Sequence, residues 1–337
     1  MSALDRTVAE VGARAVTAPV LGGDAELPAA ATRRVRLGWD QAEAALARAQ
    51  LRATPGPYRR AWRRLRRDWV SMAGLVVFAL IVVFALAADV IARSTGHTFW
   101  QGELRDQFLP PFSPGHLLGT DANGRDVLVR AAYGGRISLA VAILASTVLL
   151  AIGGVVGAVA GYFGGFVDAA LMRIVDVLLC VPGLPLLILA FTIYKPGPYG
   201  LALFIAALGW AGGARLIRGE VLSLRARDYV DAARVLGASN VRIIFQHILP
   251  NVIPLIIVSL SLTLPGLILT EAALSFLGFG VQIPTPSWGN MLENAREYFT
   301  RSWSNVFIPG FLIFLTVLSI SLVGNGLRDA LDPRLND

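Results

Sequence analysis

Lysine, cysteine and histidine are scarce in this 337-residue chain, and each shortage excludes a kind of chemistry. Cys180 is the only cysteine, so no disulfide can form within the chain. The three histidines, His97, His116 and His247, are widely spaced and form no His-Glu-x-x-His pattern, so the sequence predicts no metal site, no catalytic residue and no cofactor. The only lysine, Lys195, is followed by proline, so the chain has no Gly-x-x-x-x-Gly-Lys-Ser/Thr loop for the phosphates of ATP.

Charge is scarce as well, and this shortage sets the class of protein. Only 16% of the residues are charged and 55% are hydrophobic, with a mean hydropathy of +0.61. Soluble domains usually contain about 25% charged residues. The net charge of +7 comes almost entirely from arginines at the borders of apolar runs, which favours orientation in a bilayer over nucleic-acid binding. The composition predicts an all-α integral membrane protein.

Six apolar runs are long enough to cross a bilayer, whose ~30 Å hydrocarbon core requires about 20 helical residues. The predicted transmembrane helices are 70–91, 137–163, 169–194, 201–216, 252–276 and 306–323. Six arginines precede the first of them: Arg59, Arg60, Arg63, Arg64, Arg66 and Arg67. Because positive charge is retained in the cytoplasm, the sequence predicts that the N-terminus and, after six spans, the C-terminus are cytoplasmic.

These runs divide the chain into four parts. Residues 1–57 mix acidic, basic and small residues and are expected to form a cytoplasmic N-terminal tail. Residues 58–92 hold the first transmembrane helix with its basic flank. Residues 93–130 contain three closely spaced prolines and are expected to form an extracytoplasmic linker. Residues 131–330 contain the other five spans.

Small and helix-breaking residues mark particular spans. Gly153, Gly157, Gly161 and Gly165 recur at every fourth position, which predicts close packing of two helices, with a flexible element of a gate as the alternative.

Three residues inside the predicted spans are candidates for lining a translocation pathway: Pro182, Pro265 and Glu271. The two prolines interrupt the third and fifth spans and free backbone carbonyls, although a simple kink would have the same sequence. Glu271 is expected either to face a cavity or to pair with an arginine of the loop 93–136. Arg173 and Asp176 are three residues apart, so we expect them to form an ion pair within one helix.

Residues 227–250, between the fourth and fifth spans, are predicted to form a compact helix-turn-helix. In the first helix, Tyr229, Ala232, Ala233 and Leu236 have the spacing of one helical side. A glycine at 237 suits a left-handed helix stop. Two interpretations remain equal on this basis: the small alanines allow docking into the groove of a partner protein, or the helix lies on lipid headgroups.

The sequence of this segment resembles the signature loop of permeases of binding-protein-dependent ABC importers, whose pattern is Glu-Ala-Ala, Gly, Ile and Leu-Pro. Residues 231–233 (Asp-Ala-Ala), Gly237 and 249–250 (Leu-Pro) match its spacing at every position. Asp231 replaces the glutamate and His247 replaces the isoleucine. The histidine is similar to the variant found in the peptide and nickel branch of the family.

Further motifs resemble the C-type permease subunit of dipeptide and oligopeptide importers. They are Leu-Gly-Thr-Asp-Ala-Asn-Gly-Arg-Asp at 118–126, Ala-Leu-Ser-Phe-Leu-Gly-Phe-Gly at 273–280, Pro-Ser-Trp-Gly-Asn at 286–290, and Gly-Leu-Arg-Asp-Ala-Leu-Asp-Pro at 326–333. Asn325 stands where that subunit usually has an acid. The resemblance covers residue 58 to the C-terminus.

The resemblance implies a type I importer (MetI-like) permease core in spans two to six, in the cytoplasmic (inner) membrane of a prokaryote. It implies a sister permease, two ABC ATPase subunits that hydrolyse ATP, and an extracytoplasmic solute-binding protein. Peptides are the expected cargo, with glutathione or a nickel complex as alternatives within the family. An ATP-independent secondary transporter is the alternative from a different class. The residues expected to couple to the ATPases are Arg227, Tyr229, Asp231, Ala232, Ala233, Arg234 and Gly237.

Overall fold

The computed structural model describes residues 57–298 and 300–331. The chain divides into two units, Met1–Gly56 and Pro57–Asp337, and the structure described below belongs to the second. The predicted cytoplasmic tail 1–57 therefore lies outside the described residues, except for its last position. Within the described part, the regular elements are helical and β-structure is limited to two isolated bridges. The predicted all-α class is confirmed.

Twelve α-helices form the described part. They are α1 Pro57–Leu65, α2 Trp69–Leu86, α3 Ala88–Thr95, α4 Val127–Phe163, α5 Gly165–Cys180, α6 Gly183–Ile193, α7 Pro198–Arg225, α8 Asp228–Val235, α9 Asn240–Ile243, α10 Leu249–Phe276, α11 Trp288–Ala295 and α12 Trp303–Leu331. A π-helical turn, Ile244–Ile248, joins α9 to α10. Two short 3₁₀ turns, Leu104–Asp106 and Arg296–Tyr298, complete the structure.

Five of these helical segments are long and apolar enough to cross a membrane: α2, α4, α7, α9 continued into α10, and α12. The pair α5 and α6 passes the same test together but is bent by 80°. The described residues thus hold six spans when the bent pair counts as one. This agrees with the six predicted spans and with the predicted interruption of the third span at Pro182, which precedes α6 directly.

The second span begins earlier than the sequence indicates. Helix α4 starts at Val127 rather than at 137, so it includes the last residues of the predicted linker 93–130. The cause is the side chain of Asp126, whose Oδ1 accepts a hydrogen bond of 2.9 Å from the backbone N–H of Val129. This N-cap satisfies a backbone donor at the helix start.

The fifth span is not interrupted, which corrects the prediction for Pro265. Helix α10 continues through Pro265 to Phe276. A proline removes one backbone donor, and neighbouring helices stabilise such positions in membranes. Helix α12 packs closely here, because a Cβ added at Gly324 would lie 3.2 Å from Cβ of Ser261, one turn before the proline.

The glycine repeat packs α4 against α7, as predicted. A Cβ added at Gly153, Gly157 or Gly161 would lie 2.5 to 2.9 Å from a backbone carbonyl oxygen of α7. The fourth glycine, Gly165, has open space around its Cα and begins α5 instead. Three glycines therefore bring the two backbones into direct contact.

Two ion pairs join α5 to α7. Asp168 accepts hydrogen bonds from the guanidinium of Arg218, and Asp176 accepts one from Arg215. The expected pair between Arg173 and Asp176 is wrong, because the carboxylate of Asp176 reaches across to the neighbouring helix. The partner lies far away in sequence and close in space, which a local spacing rule does not detect.

Candidate coupling site

A small apolar cluster anchors the segment 227–250 to the bundle. Four side chains of the segment are buried there: Val230, Ala233, Ile243 and Ile248. They pack against the ends of α4, α7 and α10 through Tyr162, Ile217, Val221, Leu224 and Val252. The segment is therefore attached to three membrane-spanning helices at once.

Gly237 closes α8 through two backbone hydrogen bonds. The N–H of Ala238 donates to the carbonyl of Ala233, and the N–H of Gly237 donates to the carbonyl of Arg234, both at 3.0 Å. These are the two bonds of a Schellman motif. Gly237 has a φ of +80°, a left-handed conformation that costs other residues roughly 1–2 kcal/mol. Helix α8 therefore ends sharply at this position.

The sharp end leaves a group of side chains projecting from the protein. Val235 and Leu236 are 87% and 86% exposed, and Tyr229 is 39% exposed. Asp231 and Arg234 are also exposed and form an ion pair along the helix, with 2.7 Å between Oδ1 and Nη1. We call these five residues the α8 tip. It combines an apolar end with a charged side.

The structure corrects one of the predicted docking residues. Ala233 is only 9% exposed and shares the inward face of α8 with Val230, so it offers no surface to a partner. The other predicted coupling residues are exposed: Arg227, Tyr229, Asp231, Ala232, Arg234 and Gly237. The sequence does not predict the exposure of Val235 and Leu236, because the spacing of apolar residues along a short helix does not reveal which side faces the bundle.

The second arm of the segment adds a polar anchor. Ser239 caps α9 by accepting from the N–H of Arg242 at 3.3 Å. Its neighbour Asn240 accepts a hydrogen bond of 2.8 Å from the hydroxyl of Tyr162, near the end of α4. Tyr162 and Asn240 were not predicted as site residues. Only the position of a tyrosine at the border of an apolar run signals such a contact in the sequence.

Glu271 lies in the interior of this chain and not on a pathway surface. Its side chain is 0% exposed. Its carboxylate accepts hydrogen bonds from the hydroxyls of Ser138 (2.9 Å) and Ser275 (2.7 Å). Ser138 also accepts from the backbone N–H of Trp288 at 3.2 Å. The carboxylate thus joins α4, α10 and α11, and no ion pair with an arginine is found among the described residues.

The three predicted pathway residues therefore do not share one surface. Pro182 is exposed at the bend between α5 and α6, whereas Pro265 and Glu271 are buried. A residue enclosed by its own chain cannot contact cargo without a change in packing. In this arrangement only Pro182 has the exposure that a pathway residue needs.

Two of the three histidines come together in the fold, although the sequence separates them widely. The rings of His97 and His116 are stacked with centroids 4.4 Å apart. Asp126, which precedes α4, lies beside them with Oδ2 2.8 Å from Nδ1 of His116. His247 is on the segment 227–250, where its ring lies 6.5 Å from that of Tyr229.

Comparison with known proteins decides the family. Residues 153–337 match a family described as the binding-protein-dependent transport system inner membrane component. The chain belongs to this family. Residues 56–111 match a second description, the N-terminal TM domain of oligopeptide transport permease C. The segment 227–250 lies within the first match, and α2 lies within the second.

The sequences of individual relatives align with most of this chain. The dipeptide transport system permease protein DppC of Bacillus subtilis is 41% identical over 276 residues, or 82% of this chain and 85% of the relative. The oligopeptide transport system permease protein OppC of Haemophilus influenzae is 40% identical and covers 81% of this chain and 87% of its own. The glutathione transport system permease protein GsiD of Pectobacterium atrosepticum is 38% identical, over 83% and 92%.

Membership in this family gives the chain its general role. It is a multi-pass membrane permease subunit, and ATP hydrolysis lies on separate subunits of the transport system.

Proposed function

We propose that this permease carries dipeptides and oligopeptides across the bacterial inner membrane as one of the two membrane subunits of an ATP-driven importer. Relatives named for dipeptide and oligopeptide transport support this cargo. A relative named for glutathione transport supports the alternative within the family. A sister permease, two ABC ATPase subunits and an extracytoplasmic solute-binding protein complete the importer.

The proposed orientation places the N-terminus, the C-terminus and the α8 tip in the cytoplasm. Four of the six arginines before the first span lie in α1, and the other two, Arg66 and Arg67, directly follow it. The start of α2 lies beside the end of α12, because the hydroxyl of Ser71 donates to the carbonyl of Leu322 at 3.1 Å. Both ends of the described chain are thus at one end of the bundle, and the positive-inside rule supports a cytoplasmic location for that end.

The observation that carries the coupling role is the form of the α8 tip. Two almost fully exposed apolar side chains project from α8. This helix ends in a Schellman motif and is anchored to the bundle by the buried apolar cluster. An apolar anchor with charged neighbours fits a groove on a protein partner. An ATPase that moves the α8 tip would move α4, α7 and α10 through the buried cluster. ATP would then bias the permease by binding the ATPase subunits with different affinity in the two states of the assembly.

Leu236→Asp tests this role in the importer reconstituted with its ATPases and binding protein. The variant places a carboxylate in the apolar part of the docking contact, and loss of such an anchor typically costs about 2 kcal/mol, roughly 30-fold in docking affinity. We expect membrane insertion to persist while ATP hydrolysis no longer drives uptake of labelled dipeptide. Ser223→Asp is the matched control, because Ser223 is exposed on α7 outside the segment.

Each result has a defined meaning. Unchanged uptake by Leu236→Asp would contradict docking through the α8 tip and favour a position on the lipid headgroups. Uptake without any ATPase would instead support a secondary transporter. If unlabelled glutathione or a nickel complex inhibited the uptake and unlabelled dipeptides did not, the proposed peptide cargo would be wrong.

A further inference from the structure

A cluster of metal-ligating side chains lies where the linker meets α4, at the opposite end of α4 from the segment 227–250. His97 follows α3, His116 lies within the linker, and Asp126 precedes α4. Each offers one ligand atom, and these three atoms lie within 4.8 Å of one another. We propose that His97, His116 and Asp126 form a binding site for a divalent transition-metal ion, with Zn²⁺ as the best fit.

The geometry is close to that of a metal-bound arrangement. In tetrahedral zinc sites the nitrogen and oxygen ligands lie 2.0–2.2 Å from the metal and therefore about 3.3 Å from each other. Nδ1 of His116 and Oδ2 of Asp126 are already 2.8 Å apart in a hydrogen bond, and a metal bound to both atoms would release the shared proton to solvent. All separations within the set are below 4.8 Å, so they must close by no more than about 1.5 Å, a movement within the reach of side-chain rotation. His97 has the freedom for this, since it is only partly buried.

The burial and charge of the cluster favour a cation. His116 and Asp126 are buried, and a buried carboxylate is costly unless it is paired with a cation or coordinates a metal. Oδ1 of Asp126 is occupied by the helix cap to Val129, which leaves Oδ2 for His116 and the metal. Among the described residues, His116 is the only basic group within ion-pair distance of Asp126, and histidine carries charge only when protonated.

The donor set also selects the kind of metal. Two imidazoles with one carboxylate suit zinc and neighbouring transition metals, whereas Mg²⁺ and Ca²⁺ prefer shells made of oxygen alone. Three protein ligands leave a fourth position for water. Nε2 of His97 now lies 3.1 Å from the carbonyl of Gly115, a contact that metal binding through this nitrogen would replace.

Metal binding would fix the path of the linker. The ion would connect the region after α3, the middle of the linker and the start of α4. It would add to the contacts that already join them, among them the His116–Asp126 contact, the histidine ring stack and the contact of His97 with Gly115. The site uses no residue of the α8 tip and does not depend on the identity of the cargo.

The test measures zinc on the full chain, purified in mild detergent with an affinity tag that contains no histidine and stripped with a chelator. Zinc is added in competition with a fluorescent zinc indicator, and bound metal is counted by mass spectrometry. We expect one zinc per chain in the wild type. His97→Gln and Asp126→Asn should each lose it, with affinity reduced at least about 100-fold, the upper range for loss of a supporting group.

Two features separate loss of a ligand from loss of the fold. Asparagine caps a helix about as well as aspartate, so Asp126→Asn retains the start of α4. His247→Gln removes the third histidine, which lies on the distant segment 227–250, and should keep the zinc. Zinc, and not magnesium, should raise the melting temperature of the wild type and of His247→Gln but not of His97→Gln.

Either of two outcomes would overturn the proposal. The first is a wild-type chain that binds no zinc at micromolar concentration. The second is zinc binding that is equal in the wild type, His97→Gln and Asp126→Asn, or that is lost to the same extent in His247→Gln.

Discussion

The contact between α4 and α7 gives the sharpest prediction about stability, through Gly157→Ala. The added Cβ would lie 2.5 Å from the carbonyl oxygen of Ala214, 3.0 Å from the backbone nitrogen of Arg218 and 3.1 Å from Cβ of Ile217. Two of these atoms belong to the backbone of α7, so no side-chain rotation can relieve the overlap. The two helices must separate to accommodate one methyl group.

The expected magnitude comes from comparison with a neighbouring glycine. At Gly154, also on α4, an added Cβ would make an ordinary contact of 3.8 Å with Cδ1 of Ile217. Both variants gain the better helix propensity of alanine, about 1 kcal/mol. Only Gly157→Ala adds an overpacking penalty of about 1–3 kcal/mol. The difference in unfolding free energy between the two variants therefore isolates the packing penalty, and Gly157→Ala should be the less stable by that amount.

The assay is unfolding in mixed micelles with increasing sodium dodecyl sulfate, followed by tryptophan fluorescence. Wild type, Gly154→Ala and Gly157→Ala are compared in the same detergent. Equal stability of the two variants would refute the direct backbone contact between α4 and α7. A Gly157→Ala variant that is more stable than Gly154→Ala would show in addition that the glycine repeat serves flexibility and not packing.

Two further predictions concern acidic side chains, one buried in the bundle and one at the start of a helix. Glu271→Ala should destabilise the fold by about 2 kcal/mol or more, because it leaves a cavity and removes the acceptor to which two serine hydroxyls donate. Glu271→Gln should cost less, and melting temperatures in detergent check this order. At the start of α2, the hydrogen bond from the hydroxyl of Ser71 holds the pKa of Asp68 below its ordinary value of 3.8. The contribution of Asp68 to stability is thus complete above pH 3.8 and is lost as the pH falls through its lower folded-state pKa, so acidification should reduce the stability of the wild type more than that of Asp68→Asn. An identical acid response in both proteins would contradict this role.

The features that the sequence predicts well are those determined locally. The spans follow from hydropathy, since the bilayer requires a minimum apolar length. The turn within the segment 227–250 follows from Gly237, because a left-handed position after a helix favours glycine. The packing role of Gly153 and Gly157 follows from a repeat that places both residues on one side of α4.

The features that it predicts poorly depend on which side of a helix faces the protein. Glu271 lies in an apolar helix, and the sequence does not distinguish its lipid side from its protein side. Ala233 lies one residue from the exposed Ala232, and only the position of α8 on the bundle separates their roles. The pairing of His97 with His116 depends on the path of an irregular linker, for which hydrophobic periodicity gives no information.

Helix α4 connects the two candidate sites and explains how they would act together. Its 37 residues extend about 55 Å, which exceeds the ~40–45 Å thickness of a whole bilayer. Its N-cap residue, Asp126, lies beside His116, and its other end contacts the segment 227–250 through Tyr162. The glycine contacts join α7 to it, so the two helices should move as one body. In the proposed importer, a displacement of the α8 tip would therefore reach the linker as a rigid movement of α4 and α7, with α5 held to that body by its two ion pairs to α7. A metal ion at the cluster would make the linker part of the moving body.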